Sequence, residues 1–171
     1  MEGFIYCQED VPKEQWRYGF RTTAATGCGW IAVFNALHYL GEKVQPEELI
    51  CDFERMLPLI HGNLGTTILA PAFYFKKKGY SVDWTACNDR FDEMVKRCDV
   101  CILFYRWRRK WKIGAHFVAL HHSGDSIVAY NTYKNSKGPD HYGQSLQNYL
   151  KGRKYFGAVL IGIRKPKEET K

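Results

Sequence analysis

The segment Thr26-Gly27-Cys28-Gly29-Trp30-Ile31-Ala32-Val33-Phe34-Asn35-Ala36-Leu37 constrains this chain more than any other. Ile31, Phe34 and Leu37 recur at three-residue steps, with small Ala32 and Ala36 between them. That pattern predicts a buried or half-buried helix over residues 28 to 40, stopped by Gly41. Cys28, flanked by two glycines, falls in its first turn. A helix N-terminus presents unpaired backbone N–H groups and a partial positive charge. Such surroundings favour thiolate over thiol and lower a cysteine pKa from its free value of about 8.5. Cys28 is therefore expected to be a sulfur nucleophile.

The elements after this helix alternate in a definite order. Pro46-Glu47-Glu48-Leu49-Ile50 starts a second helix, with proline and carboxylates in its first turn, running to about Leu57. His61 to Gly65 reads as a loop. Thr66 or Thr67 is positioned to cap a third helix through Leu69, Phe73 and Phe75 to Lys78, ended by Gly79. From Tyr80 the pattern changes to strands: Tyr80–Trp84, the apolar run Val100–Tyr105 with both faces buried, His116–His121, Ser126–Tyr130 and Tyr155–Ile163. Helices are expected over Asp89–Arg97 and about Ser145–Leu150. Ser123-Gly124-Asp125 reads as a tight hairpin turn. Helices first, then a mainly antiparallel sheet, is an α+β arrangement.

A length of 171 residues, 45% of them hydrophobic and 15% aromatic, fits one domain with a full core. We place that domain at residues 1–163, followed by a charged, flexible tail at 164–171. No run approaches the roughly 18 to 20 consecutive apolar residues of a membrane span, and the first residues lack the basic and apolar regions of a secretory signal. Six cysteines without a framework-like spacing point to reduced thiols and a cytoplasmic location, with export by a non-classical route as the alternative. The net charge is +7. Much of it lies in Arg106-Trp107-Arg108-Arg109-Lys110-Trp111-Lys112 and in the tail.

A cysteine nucleophile needs a base, and the base needs a group to hold it. Of the histidines, His116 begins a strong strand, with Gly114 and Ala115 leaving room beside its imidazole. The following strand ends in Tyr130-Asn131-Thr132, which the hairpin returns to the level of His116. Asn131 is thus expected to hold the imidazole through its side chain. Together with Gly27-Cys28-Gly29, Ala32, Asn35-Ala36-Leu37, Lys78-Gly79-Tyr80-Ser81-Val82, Val100–Phe104, Ala115-His116-Phe117-Val118 and Val128-Ala129-Tyr130-Asn131, the order Cys28, His116, Asn131 resembles the papain-like cysteine peptidases. The nearer likeness is to the peptidases that remove double-glycine leaders from bacteriocins.

The resemblance covers about residues 20 to 163. It implies a papain-like fold with the nucleophile helix packed on the sheet. It also implies a cofactor-free Cys-His-Asn acyl transfer on a peptide or protein substrate, with an oxyanion site at the Cys28 backbone N–H. Gly27, Gly65, Trp107, Trp111 and Ala115 become substrate-contacting residues, the two tryptophans because their segment leads into the histidine strand. Two positions depart from the family pattern. Thr22 stands where a glutamine normally supplies an oxyanion donor, with Gln8 and Gln15 as other amide sources. Asn131-Thr132 replaces aspartate-proline.

Other readings compete at particular residues. A papain-like module that binds without turnover follows from the missing glutamine. Cys98-Asp99-Val100-Cys101 has the C-x-x-C spacing of half a zinc site, but no second pair accompanies it, so no metal is expected. His121 and His122 are adjacent on a strand and so face opposite ways, one to the core and one to solvent. The basic, tryptophan-bearing segment reads as a hairpin loop that contacts a substrate or partner, or one that is simply solvated. Nucleic-acid binding is the weaker alternative. The sequence carries no signal for oligomeric state.

Overall fold

A computed structural model describes residues 3–12, 15–56, 66–132 and 135–166. A short hairpin, β1 (Arg17–Tyr18) and β2 (Arg21–Thr22), leads into one helical turn, α1 (Thr23–Thr26), and then into α2 (Cys28–Tyr39), α3 (Pro46–Arg55) and α4 (Ala70–Lys77). The second half runs β3 (Ser81–Thr85), α5 (Phe91–Arg97), β4 (Val100–Arg109), β5 (Lys112–Ser123), β6 (Ser126–Tyr130), β7 (Asp140–His141), α6 (Leu146–Lys151) and β8 (Tyr155–Arg164). The last six strands form one sheet in the order β3-β8-β4-β5-β6-β7, with every pairing antiparallel. The fold is α+β, as the order of patterns implies.

The sheet divides the core in two. Val100, Ile102 and Phe104 of β4 face a core that contains α2, α3, α4 and the N-terminal segment. Cys101, Leu103 and Tyr105 face a second core with α5 and α6. This explains the unbroken apolar run in β4: a strand covered on both sides has no face to give to polar residues. Helix α2 is enclosed as well, with every residue from Gly29 to Leu37 buried. It ends as its sequence implies, since Gly41 takes a left-handed φ of 84° and the Glu42 N–H reaches back to the Leu37 carbonyl at 3.0 Å.

Gly27 is required at the junction of α1 and α2 by close approach. A Cβ there would lie 2.5 Å from the Thr23 methyl and 2.8 Å from the Trp30 indole nitrogen. The one polar side chain deep in α2, Asn35, is engaged at both ends of its amide. Its Oδ1 accepts from the Ile5 N–H at 2.8 Å, and its Nδ2 donates to the Ile5 carbonyl at 2.9 Å. That pair of bonds mimics a strand ladder and fixes the N-terminal segment against α2.

Three boundaries differ from expectation. The third helix begins at Ala70, not at Thr66 or Thr67, because the Thr66 hydroxyl is engaged with Tyr18 instead of capping. The basic segment is not a loop: β4 and β5 continue through it, pairing Arg106 with Ala115 and Arg109 with Lys112 around a two-residue turn at Lys110-Trp111. Arg164 closes β8 and bonds Asp83 at 2.8 Å, one residue into the segment its charge assigns to the tail. The expected loop at residues 61–65, the end of the second helix at Leu57 and the last five residues lie outside the described residues.

Replacing Asn35 by Leu leaves the buried Ile5 N–H and carbonyl without partners. An unsatisfied buried group costs about 1–3 kcal/mol, so urea denaturation of Asn35→Leu should show a loss of roughly 2–4 kcal/mol. Hydrogen exchange should rise first at Ile5.

Candidate functional site

Cys28 is the first residue of α2, half-buried, with Gly27 before it. The backbone N–H groups of Phe117, Cys28 and Gly29 point at its sulfur and favour the thiolate. Burial acts the other way and prevails, so the thiol lies above its ordinary range. The helix-start position alone predicts a lowered value. What sequence does not show is how deeply β5 covers the sulfur. Gly29 is fixed by the same crowding, because a Cβ there would collide with Thr66. Thr66 donates to the hydroxyl of fully buried Tyr18 at 3.3 Å. Tyr18 is thereby a neighbour of the cysteine that no sequence pattern singles out. Burial pushes its phenol up, with the charges of Glu54 and Cys28 adding to the effect.

His116 lies on β5, one residue before the Phe117 whose N–H meets the sulfur. Asn131 does hold the ring, but through its backbone. The His116 Nε2 lies 2.6 Å from the Asn131 carbonyl oxygen. The expected side-chain bond is absent because the Asn131 amide is committed elsewhere. Its Oδ1 accepts from the Gln8 N–H at 2.9 Å, and its Nδ2 donates to Gln8 Oε1 at 3.4 Å. Asn131 also has a left-handed φ of 60°, which turns its carbonyl out of the β6 ladder. Since a carbonyl only accepts, it fixes the proton on Nε2 and leaves Nδ1 with a free lone pair. Burial, with a smaller contribution from the Arg153 charge, pulls the imidazole down to about 4 against the carbonyl's opposing effect.

Cys28 packs with the α2 core, while the imidazole lies edge-on to Tyr105, its cross-strand partner, with ring centroids 6.0 Å apart. Tyr105 belongs to the second core and bonds Tyr149. No hydrogen bond joins Cys28 to His116, and the resting pair is a neutral thiol beside a neutral imidazole.

The remaining expected site residues separate. Thr22 ends β2, half-buried, and its hydroxyl makes no hydrogen bond among the described residues. Gln8 is close but its amide donates to the Ala24 carbonyl at 2.7 Å, so it is a tie between the N-terminal segment, the lead-in to α2 and Asn131. Gly27 is buried and serves packing, offering no surface to a substrate. Trp107 packs over Gly114 toward the second core, away from Cys28. Trp111 is fully exposed at the tip of the β4–β5 hairpin. Ala115 is exposed. Opposite Arg106, and two residues from Phe117, it lies on the Cys28 side of the sheet. Gly65 lies outside the described residues.

Among the described residues, no group of three or more His, Cys, Asp or Glu side chains converges as a metal site. Cys98 and Cys101 hydrogen-bond each other; with the charges of Arg164 and Arg97 this lowers the Cys98 thiol, while burial pushes Cys101 up. His121 is buried and stacked on Tyr39 at 3.8 Å, whereas His122 is half-exposed, as strand alternation requires. Among the described residues, no helix is long and apolar enough to cross a membrane. A scan against protein-family models and a search of curated proteins find no match to this chain.

Two measurements check this geometry. His116 and His121 are both depressed to about 4, His121 by burial and then by the charges of His122 and His141. Unfolded histidine binds its proton near 6.5, so between about 6.5 and about 4 the unfolded chain holds more protons. Stability is full above that window, falls as pH drops through it, and levels below about 4. The loss is at most roughly 3 kcal/mol per ring. Urea midpoints should fall from pH 7 to pH 5, with a shallower fall in His121→Phe; equal midpoints in the native chain refute it. Secondly, Asn131→Gly keeps both carbonyl and φ, so the nitrogen NMR signature of the Nε2–H tautomer should persist at His116.

Proposed function

We propose that this chain is a papain-like, thiol-dependent amide hydrolase acting on peptides, with Cys28 as nucleophile and His116 as base. The observation that carries the reading is the pairing of an N–H-surrounded sulfur at a helix start with an imidazole whose tautomer is fixed one residue from the strand amide touching that sulfur. Nδ1 is the nitrogen left able to take a proton. The acyl transfer requires Nδ1 of His116 to meet the sulfur, and no hydrogen bond joins the two at rest.

In the reaction the thiol proton passes to Nδ1 and the sulfur attacks the substrate carbonyl carbon. The resulting oxyanion is stabilised by backbone N–H groups at the start of α2, Cys28 among them. The imidazolium returns the proton to the departing amine as the C–N bond breaks, leaving a thioester. Water, deprotonated by His116, then releases the acid and regenerates the thiol. Thr22 is a weak substitute for an amide donor, and loss of one such donor costs about 100- to 1000-fold in rate. Slow turnover is therefore part of the proposal.

A second reading is a binding module that keeps this fold without turnover. The raised thiol, the lowered imidazole and the absence of a bond between them favour it. Hydrolysis of a fluorogenic peptide library separates the two. For the hydrolase, Cys28→Ala and His116→Ala each lose at least about 1000-fold, and an iodoacetamide label maps to Cys28 with a rate that follows the activity. No turnover in the native chain, with a Cys28 label that appears only above the ordinary range of a free thiol, establishes the binding module.

A further inference from the structure

Strand β8 is longer than the neighbour on its outer side. β3 covers only its C-terminal half, where Thr85 pairs with Leu160 and Ser81 with Arg164. From Tyr155 to Val159, β8 pairs with β4 on one side and with no strand on the other among the described residues. An open strand edge presents a row of backbone N–H and C=O groups to whatever extended chain can reach them.

A groove of about 550 Å³ runs along this bare edge. One wall holds Phe104 and Arg106, on the sheet face that carries Cys28, together with Ile68. The other holds Ala86 and Asn88, the latter donating to the Tyr155 hydroxyl at 2.8 Å. Five strand residues span about 17 Å, so the edge has room for a segment of about that length. It lies in line with β3, where the sheet leaves a place for one more strand.

Charge identifies the occupant. Among the described residues, Arg106 is the groove's only charged side chain and no carboxylate pairs with it. Its guanidinium lies 5.1 Å over the Phe156 ring, beside Gly157, at the bare edge itself. Phe156 is the residue skipped where the β4–β8 register shifts, and it is 48% exposed. A nucleic acid strand would call for several cations along its path. Here the other nearby cations, Lys154 just before the edge and Arg108, Arg109, Lys110 and Lys112 on the hairpin, do not line the groove.

We propose that the Tyr155–Val159 edge of β8 binds an extended acidic peptide segment as an added strand, with Arg106 receiving a carboxylate side chain. Backbone bonds give the affinity of such an addition and alternate side chains give its selectivity. Its test is made in Cys28→Ala so that hydrolysis plays no part.

Fluorescence anisotropy of a fluorescein-labelled decapeptide alternating Glu and Val tests it. Expected are saturable binding at least tenfold tighter than the Lys/Val counterpart, an inverted preference in Arg106→Glu, and loss of binding when the peptide backbone is N-methylated on the edge-facing residues. Amide NMR shifts should centre on Tyr155–Val159. No binding, equal binding of the N-methylated peptide, an unchanged preference in folded Arg106→Glu, or shifts elsewhere each overturn it. So does a ten-nucleotide DNA strand that moves these amides when the peptide does not. N-methylation tests the edge even if Arg106→Glu fails to fold.

Discussion

A helix that is apolar on every side cannot exist in water by itself. From Gly29 to Leu37, α2 has no exposed face, and the rest of the molecule is arranged to enclose it. The sheet supplies one wall through β4 and β5; α3, α4 and the N-terminal segment supply the others. That enclosure sets where the start of the helix lies, and hence where Cys28 sits beneath β5. It also sets the sulfur's chemistry, since the strand that provides a helpful N–H is the same strand that excludes water.

The conflict at Cys28 is between two effects of comparable reach. Backbone donors stabilise a thiolate, while loss of solvent destabilises it, and here the second is larger. His116 feels the matching effect in the opposite sense, with its charged form disfavoured. Both residues therefore rest uncharged. A catalytic cycle built on them has to begin by moving the thiol proton to the base, whereas a preformed ion pair would start one step ahead.

Much of the fold was legible because its signals are local. The 3-residue apolar rhythm of α2, Pro46 at a helix start, Gly41 and Gly79 at helix ends and Gly124 in a two-residue turn each depend on a few neighbouring residues. What misled was charge. Arg106 to Arg109 looked like a loop because three of its four residues are cations, while strand extension there rests on pairing with Lys112–Ala115. At the site, sequence placed Asn131 beside His116 but assigned the wrong atom. Side-chain chemistry is written in the residue name, while the carbonyl's direction comes from a φ of 60° and from Gln8, 123 residues away, holding the amide. The positions of Tyr18 and Thr66 beside α2 are likewise products of tertiary packing.

The two cores have β4 in common, each side chain of its apolar run belonging alternately to one and then the other. A wall shared in this way cannot be removed from one room only. Loosening α5 or α6 exposes the back of the strand that α2 leans on, and loosening α2 exposes Val100, Ile102 and Phe104 on its front. Helices on opposite faces of the sheet are thus bound into a single melting unit, and a disturbance on the far face of the sheet is felt at the sulfur as a change in how firmly its ceiling is held.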